Sequence, residues 1–197
     1  DTMSGLLSKN VRYAKFCERL NSLKYQHAVE VCGQKLLHLV MRTLICGDID
    51  QICDCVRMIQ RSNTKYKNSF TKDEVRRLEM GDNRRYDISL LVKIIKMVCG
   101  LAPAGNNCWT QFTSDNELLE YLITTLKEWR NDLVHTYDSV LTDDQLDNYL
   151  CELRDLAKKI VSTLEVRAGE LGKHFSVNEA TETLQVVHEI IAEVNAY

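Results

Sequence analysis

The sequence predicts an all-α fold, an antiparallel helical bundle, on three observations. Proline occurs once and glycine eight times in 197 residues, so few positions would break a helix. Apolar residues recur at steps of three and four along most of the chain, which is the period of an amphipathic helix. β-branched residues do not alternate with polar ones over any long stretch, so no strand is predicted.

The first 85 residues predict three helices and a connector that contains a fourth. The second helix stops at Gly47 and the third begins at Asp48. The apolar positions of the three are Tyr13, Phe16, Leu20 and Leu23, then Val29, Leu36, Leu37, Val40 and Leu44, then Ile49, Ile52, Val56 and Ile59. Residues 61–85 are polar and basic, and we interpret them as a solvated connector, with an RNA-contacting patch as the alternative. The capping box Thr71-Lys72-Asp73-Glu74 and Gly81 predict a short helix within it.

Two helices are predicted between residues 87 and 135, with a loop between them. Asp87 predicts the start of a helix that ends at Gly100, and its inner stripe consists of Ile88, Leu91, Ile95 and Val98. We expect Trp109 to hold the following loop against the core. The capping box Ser114-Asp115-Asn116-Glu117 then predicts the start of a helix that runs to residue 135.

Two more helices are predicted after residue 140. Thr142-Asp143-Asp144-Gln145 opens a helix that we expect to be the longest. Its heptad positions are Leu146, Leu150, Leu153, Ala157, Ile160 and Leu164. Ser176 opens a last helix, with a seam made of Val177, Ala180, Leu184, Val187, Ile191 and Val194. We therefore predict a helical domain over residues 1–171, and a C-terminal helix within 172–197 that packs on this domain or leads to a further one.

Composition excludes several classes of protein. No run of 18 apolar residues and no secretory signal is present, so we expect a cytoplasmic protein without a membrane contact. The eight cysteines lie mostly in helical apolar patterns, as reduced thiols do. A net charge of −3 argues against nonspecific coating of nucleic acid, although a local basic cleft is compatible with it. The sequence has no glycine-rich phosphate loop, no nucleophile elbow and no zinc-knuckle spacing, so neither a cofactor nor a metal is predicted.

The segment Arg130-Asn131-Asp132-Leu133-Val134-His135 is the best candidate for chemistry. It ends a helix whose stripe of Leu119, Leu122, Leu126, Trp129 and Leu133 is expected to be buried. The opposite face carries Thr124, Glu128, Asn131 and His135, which we expect to be free to meet a ligand. The structural alternative is that Arg130 pairs with a carboxylate after Glu117 on a neighbouring helix, or locally with Glu128 or Asp132, and that His135 caps the helix.

A second arginine and histidine pair shows that close spacing of these two residue types is weak evidence for a site. Arg167 precedes His174 by a short distance, but Gly169 and Gly172 break the helix that would fix their geometry, and we expect His174 to face solvent. Isolated histidines are weak signals too. His27 and His38 are interpreted as packing or surface residues, and His188 lies outside the seam of its helix.

The segment 130–135 resembles the signature of HEPN domains (higher eukaryotes and prokaryotes nucleotide-binding). In this signature an arginine is followed by a polar residue, three further residues and a histidine. Tyr86-Asp87-Ile88-Ser89-Leu90-Leu91, the loop with Pro103 and Gly105, and Trp109 resemble the subgroup in animal RNA-binding ubiquitin ligases and related signalling proteins. The resemblance covers about residues 10–165. It implies an all-α bundle that dimerises, bringing two copies of the motif into one cleft, and in many members metal-independent RNA cleavage.

The residue types are compatible with the implied activity. Histidine can take the proton of a 2′-hydroxyl and return one to the leaving oxygen, which is the role expected of His135. Arg130 is expected to stabilise charge on the phosphate, and Asn131 to hold the imidazole or a phosphate oxygen. An ideal helix places Arg130 and His135 about 140° apart. Either the helix ends before His135 or a second chain completes the site, and the second reading favours a homodimer.

Two functions therefore stand as expectations. The first is a homodimeric, metal-independent endoribonuclease that uses Arg130, Asn131 and His135. The second is a noncatalytic HEPN module for dimerisation or RNA binding in a larger signalling or ubiquitin-ligase-type protein, with protein partners bound through flanking domains. The net acidity and the spare seam of the last helix favour the second.

Overall fold

The chain folds into α-helices joined by short connectors. The computed structural model describes residues 2–112, 118–135 and 140–196, without the side chains of residues 2–10, 134 and 135. This described part contains seven α-helices and no strand, so the all-α prediction is confirmed. The helices are α1 (Thr2–Leu44), α2 (Ile52–Ser62), α3 (Lys72–Met80), α4 (Ile88–Val98), α5 (Leu119–His135), α6 (Asp143–Glu170) and α7 (Val177–Ala196). Short 3₁₀ turns lie at Ile49–Gln51, Thr64–Tyr66, Asn83–Arg85 and Asn107–Trp109.

Helix α1 is one continuous helix of 43 residues, although the sequence predicted two. The five residues from Lys24 to Ala28 include no glycine or proline, so nothing interrupts the backbone hydrogen bonds between the two apolar patterns. The prediction that the helix after Thr142 is the longest is also wrong, since α6 has 28 residues.

The C-terminal half of α1 lies at the centre of the fold. It packs against α4, α5, α6 and α7, and residues such as Leu36 and Val40 are fully buried there. Gly33 permits the closest of these contacts, because a Cβ atom at this position would lie 2.5 Å from Ile88 Cδ1 of α4 and 3.4 Å from Leu126 Cδ2 of α5. The small residue therefore brings α4 and α5 against the same turn of α1.

Most predicted helix boundaries are confirmed by capping hydrogen bonds. Thr71 and Thr142 each form a complete capping box, at the starts of α3 and α6. The Asp87 carboxylate accepts from the backbone N–H of Leu90 at 2.8 Å and begins α4. Gly81 ends α3 in the left-handed conformation at φ 73°, which glycine adopts without steric cost. The capping box predicted at Ser114–Glu117 lies outside the described residues.

Trp109 holds the loop between α4 and α5, as predicted. Its ring is buried, and its indole N–H donates to the Ala102 carbonyl at 3.1 Å. The Ala102 N–H in turn donates to the buried carboxylate of Glu120 at 3.3 Å. Arg167 of α6 donates to both oxygens of Glu120, at 2.6 and 3.1 Å. The loop is thereby fixed to α5 and α6.

Helix α7 packs on α1 and α6 and extends the core. Ala180, Val187 and Ile191 of its predicted seam are buried in the same apolar cluster as α1. Val177 is 63% exposed, so its place in the seam was predicted wrongly; it is the first residue of the helix, beyond the edge of the contact. Its neighbour Ser176 accepts from the Glu179 N–H at 3.3 Å and begins the helix. No helix within the described ranges is both long and apolar enough to cross a membrane.

Candidate functional site

Arg130 lies near the end of α5 and is held by α1. Its Nε atom donates to Oε2 of Glu30 at 3.2 Å, and the two side chains are 25% and 29% exposed. The other oxygen of Glu30 accepts from the Gln34 amide at 3.1 Å, one turn further along α1. The guanidinium is therefore fixed in position by a carboxylate that is itself oriented. This contact is an ion pair with a neighbouring helix, the kind of structural role that the sequence left open, but the partner is Glu30 and not one of the carboxylates that were named for it.

Asn131 contacts the arginine that precedes it. Its Oδ1 atom accepts from Nη1 of Arg130 at 3.3 Å, and its side chain is partly buried. Adjacent residues on a helix ordinarily point about 100° apart. The hydrogen bond turns the guanidinium of Arg130 towards the face that carries Asn131. The structure thus brings together two of the three predicted site residues.

The third residue, His135, is the last residue of α5, and its side chain lies outside the described residues. The helix therefore does not end before residue 135, and one of the two geometric alternatives is removed. His135 lies five residue steps after Arg130 along the helix, which corresponds to about 140° of rotation. The other alternative, completion of the site by a second chain, stays a prediction.

The face of α5 that was predicted to be free is free only towards its end. Glu128 is exposed and Asn131 is partly buried, but Thr124 is only 9% exposed and its hydroxyl is buried without a hydrogen-bond partner. The expectation for Thr124 was wrong because α1, α4 and α6 all pack against α5 and enclose its first turns. On this face of α5, the exposed part begins at Glu128.

Asp87 places a second carboxylate close to Arg130. Burial raises the pKa of Asp87, but the Leu90 N–H, the Arg77 guanidinium at 3.0 Å and the charge of Arg130 outweigh it, so the pKa lies below its usual value. Asp87 therefore stays ionised at neutral pH. Arg130 is flanked by Glu30 on α1 and Asp87 at the start of α4, and an incoming phosphate must compete with both.

A polar track on α1 extends away from Arg130, and the sequence interpretation did not identify it. Glu30, Gln34, His38 and Arg42 follow one another at intervals of four residues, which places them on one face of the helix. Beyond Gln34 the track lines a cleft of about 370 Å³ between α1, α7 and the 3₁₀ turn at Asn83–Arg85. The i, i+4 spacing of polar residues was the available signal.

The cleft next to this track has mixed charge. Lys35, Arg42 and Arg84 supply cations, whereas Glu179 and Glu182 of α7 supply carboxylates, and Arg42 lies 3.7 Å from Glu179. His38 is partly buried beside it with its Nε2 atom enclosed and without a hydrogen-bond partner. Its packing role, one of the two predicted, is supported.

Of the second arginine and histidine pair, His174 is exposed as predicted, while Arg167 forms an ion pair elsewhere. His174 lies at the surface, and Arg167 is paired with Glu120 in the interior. His188 was predicted to lie off the seam of α7, yet it is partly buried and its Nε2 atom is enclosed without a hydrogen-bond partner. Arg167 and His174 therefore do not meet at one open site.

A second cleft lies on the other side of α5. It has a volume of about 290 Å³, and its walls are mainly apolar and aromatic. They include Trp129 and the rings of Tyr25 and Tyr149, which are tilted by 33° with their centroids 5.2 Å apart. Its charged residues are the carboxylates of Asp132 and Glu152. Because the lining of this cleft includes no cation, it is a poorer site for a nucleic-acid backbone than the side of α5 that carries Arg130.

Neither a metal site nor a known relative identifies the chemistry. In residues 2–112, 118–135 and 140–196, no group of three or more histidine, cysteine, aspartate or glutamate side chains is placed to hold a metal ion. The cysteines that the structure describes are all free thiols. The chain matches no protein-family model, no curated protein and no solved structure.

Proposed function

We propose that the protein is a metal-independent endoribonuclease that acts as a homodimer, with a composite site of Arg130, Asn131 and His135 at the dimer cleft. The proposal includes an antiparallel HEPN-like bundle, similar to the HEPN subgroup found in animal RNA-binding ubiquitin ligases, and a cytoplasmic location. The observation that carries it is the hydrogen bond between Arg130 and Asn131 on the open end of α5. It aims a guanidinium at the face of the helix that leads to residue 135.

The chemistry needs no metal if these groups meet one phosphate. His135 of one chain takes the proton of the 2′-hydroxyl, whose oxygen attacks the adjacent phosphorus, and the bond to the leaving 5′-oxygen breaks as that oxygen gains a proton. The products are a 2′,3′-cyclic phosphate and a free 5′-hydroxyl. Arg130 stabilises the charge on the phosphate oxygens. Asn131 keeps the guanidinium in position through Oδ1.

The free edge of the guanidinium determines how a phosphate can approach. Nε of Arg130 contacts Glu30 and Nη1 contacts Asn131, while Nη2 has no hydrogen bond to the described residues. An arginine has five donors, so Nη2 can contact a phosphate without breaking either bond. Glu30 then has the role of a positioning residue.

The alternative is a noncatalytic HEPN module for dimerisation or RNA binding in a larger signalling or ubiquitin-ligase-type protein. The ion pair between Arg130 and Glu30 favours it, because it gives the arginine a structural task between α1 and α5. The net charge of −3 favours the dimerisation form of this module, since binding to RNA is driven by cations.

A cleavage assay separates the two functions. Purified protein should cut single-stranded RNA in EDTA and leave a 2′,3′-cyclic phosphate. His135→Ala and Arg130→Ala should each lower the rate by at least roughly a hundredfold, the size typical of losing an acid–base or charge-stabilising group. His174→Ala is the matched control, because this histidine is exposed and remote from α5, and it should cut like wild type.

Circular dichroism must show that the inactive variants remain helical. Equal residual cleavage by wild type and His135→Ala would mean a contaminating nuclease and would exclude the enzyme. A dimer that binds RNA without cutting it would support the module instead. A protein that stays monomeric at high concentration would contradict both.

A further inference from the structure

The N-terminal half of α1 exposes a row of large apolar side chains. The row, which we term the outer stripe, consists of Tyr13, Phe16, Leu20 and Leu23, and these are 72%, 64%, 39% and 62% exposed. Single exposed apolar residues are common, but four of them in one contiguous row on a rigid helix mark an interaction surface.

The opposite side of this helix is fixed to the body of the protein. Asn21 is buried, and its amide donates to the Leu141 carbonyl at 3.1 Å and to Oδ1 of Asp143 at 2.7 Å. One turn later, the ring of Tyr25 packs against the ring of Tyr149 of α6, with the centroids 5.2 Å apart. These contacts hold the helix with the outer stripe directed away from α6. The stripe cannot be covered by a small rotation of α1.

The width of the outer stripe indicates what kind of surface covers it. Its residues follow at steps of three, four and three, which keeps all four within about 80° around the helix. Such a narrow row matches positions a and d of a heptad, the seam of two paired helices. A helix that lies in a membrane surface carries a broader apolar face. The geometry therefore favours a partner helix over a lipid bilayer.

The charges beside the outer stripe determine the chemistry of that partner. With Tyr13 and Leu20 at position a, Arg12 and Arg19 occupy position g on one side and Lys24 occupies position e on the other. Arg12 and Arg19 are exposed. In a parallel pair of identical helices Arg19 would face Lys24, and in an antiparallel pair the arginines would face each other. A second copy of the same stripe is thus repelled, and carboxylates are attracted.

We propose that the outer stripe binds an amphipathic helix of a partner protein that carries apolar residues at a and d and glutamate or aspartate at the flanking e and g positions. The stripe covers 11 residues, or about 16 Å of helix, so the contact spans three turns. Pairing of this length gives a reversible interaction whose affinity depends on salt. The inference does not depend on the proposed nuclease activity.

Two synthetic peptides provide the test. Both are three-heptad helices with leucine at a and d; one carries glutamate at e and g and the other carries lysine. Like charges keep each peptide from pairing with itself. The whole protein should bind the glutamate peptide at least roughly tenfold more tightly than the lysine peptide, and less tightly as salt rises. Isothermal titration calorimetry measures both.

Variants of exposed residues assign the binding to the outer stripe. Phe16→Ser with Leu23→Ser should weaken binding of the glutamate peptide at least roughly tenfold, because two apolar side chains lose their contact. Arg12→Glu with Arg19→Glu should reverse the preference between the peptides. Val11→Ser is the matched control, since Val11 is 55% exposed on another side of the same helix, and it should bind like wild type.

Several results would overturn the proposal. Equal affinity for the two peptides, or no affinity for either, would show that the flanking cations select nothing. Binding to phosphatidylserine vesicles but to neither peptide would identify a membrane surface instead. Self-association in the absence of peptide that Phe16→Ser with Leu23→Ser abolishes would identify a second copy of this chain.

Discussion

Glu120 is an almost fully buried carboxylate whose charge is compensated by Arg167. The side chain of Glu120 is 2% exposed and that of Arg167 is 17% exposed, and two hydrogen bonds join them. Arg167→Ala should lower the free energy of unfolding by about 3–5 kcal/mol, because it leaves an uncompensated buried charge. Urea denaturation measures the loss.

The exposed pair of Arg57 and Glu79 is the matched control for this prediction. Their side chains are 49% and 52% exposed at a distance of 2.8 Å, so Arg57→Ala should cost less than about 1 kcal/mol. Replacing both Arg167 and Glu120 by methionine should be less harmful than Arg167→Ala. If Arg167→Ala and Arg57→Ala cost the same, the buried pair does not hold the loop before α5 in place.

His38 makes stability depend on pH. Burial, together with the charges of Arg42 and Lys35, lowers its pKa to about 4 against the opposing effect of the Asn83 carbonyl. The ordinary pKa is near 6.5, so the unfolded chain binds more protons than the folded one between these values. The stabilisation from a neutral His38 is complete above pH 6.5 and is lost as the pH falls towards 4, by the order of 1–3 kcal/mol.

A comparison of unfolding curves at pH 7 and pH 5 tests whether His38 makes the protein less stable at the lower pH. His38→Gln should lose less stability than wild type over that interval, because glutamine cannot take up the proton. His174→Gln, at an exposed position, should lose as much as wild type. If His38→Gln also matched wild type, this histidine would already be hydrated in the folded protein.

Local spacing predicted the contents of the candidate site but not its surroundings. Arg130 and Asn131 are neighbours in the chain, and the structure places them in contact. Glu30, which holds Arg130, lies 100 residues earlier, and the packing of α1 on α5 alone decides that they meet. Pairings of that kind depend on tertiary structure and leave no mark in a short segment.

Among the helices, the starts of the capped ones were predictable, whereas the continuity of α1 and the change of its buried face were not. Thr71, Asp87 and Thr142 mark helix starts by side-chain hydrogen bonds that depend on nearby residues only. In α1 the apolar pattern shifts between Leu20 and Leu36, which lie about 160° apart around the helix. The shift was interpreted as a break between two helices. It reflects instead the change from a face that points outwards to one that lies in the core.

Helix α7 should behave as part of the folded body. Ile191 is 2% exposed and packs in the common core, so Ile191→Ala should lower the free energy of unfolding by about 2–4 kcal/mol. Val177 on the same helix is 63% exposed, and Val177→Ala should change it by less than about 0.5 kcal/mol. Thermal and urea unfolding measure both. A negligible effect of Ile191→Ala would mean that α7 detaches readily from α1 and α6.

For the whole molecule, the continuity of α5 through residue 135 has the largest consequence for the proposed activity. The Cα atoms of Arg130 and His135 lie about 140° apart around one helix, which favours the proposed site that combines two chains. In a symmetric dimer each of the two sites would take Arg130 from one chain and His135 from its partner. This arrangement can be tested without knowledge of the dimer geometry.

Mixing two inactive variants tests this composite site directly. In a dimer of Arg130→Ala with His135→Ala, one site carries both substitutions and the other carries none. The site without a substitution is active. Random exchange of chains makes half of the dimers mixed, and cleavage should recover to about a quarter of the wild-type rate. If each site takes both residues from one chain, every site in the mixture is damaged and no activity returns. Each variant alone, measured at the same total concentration of protein, gives the baseline, and recovery should require the time that the dimers need to exchange their chains.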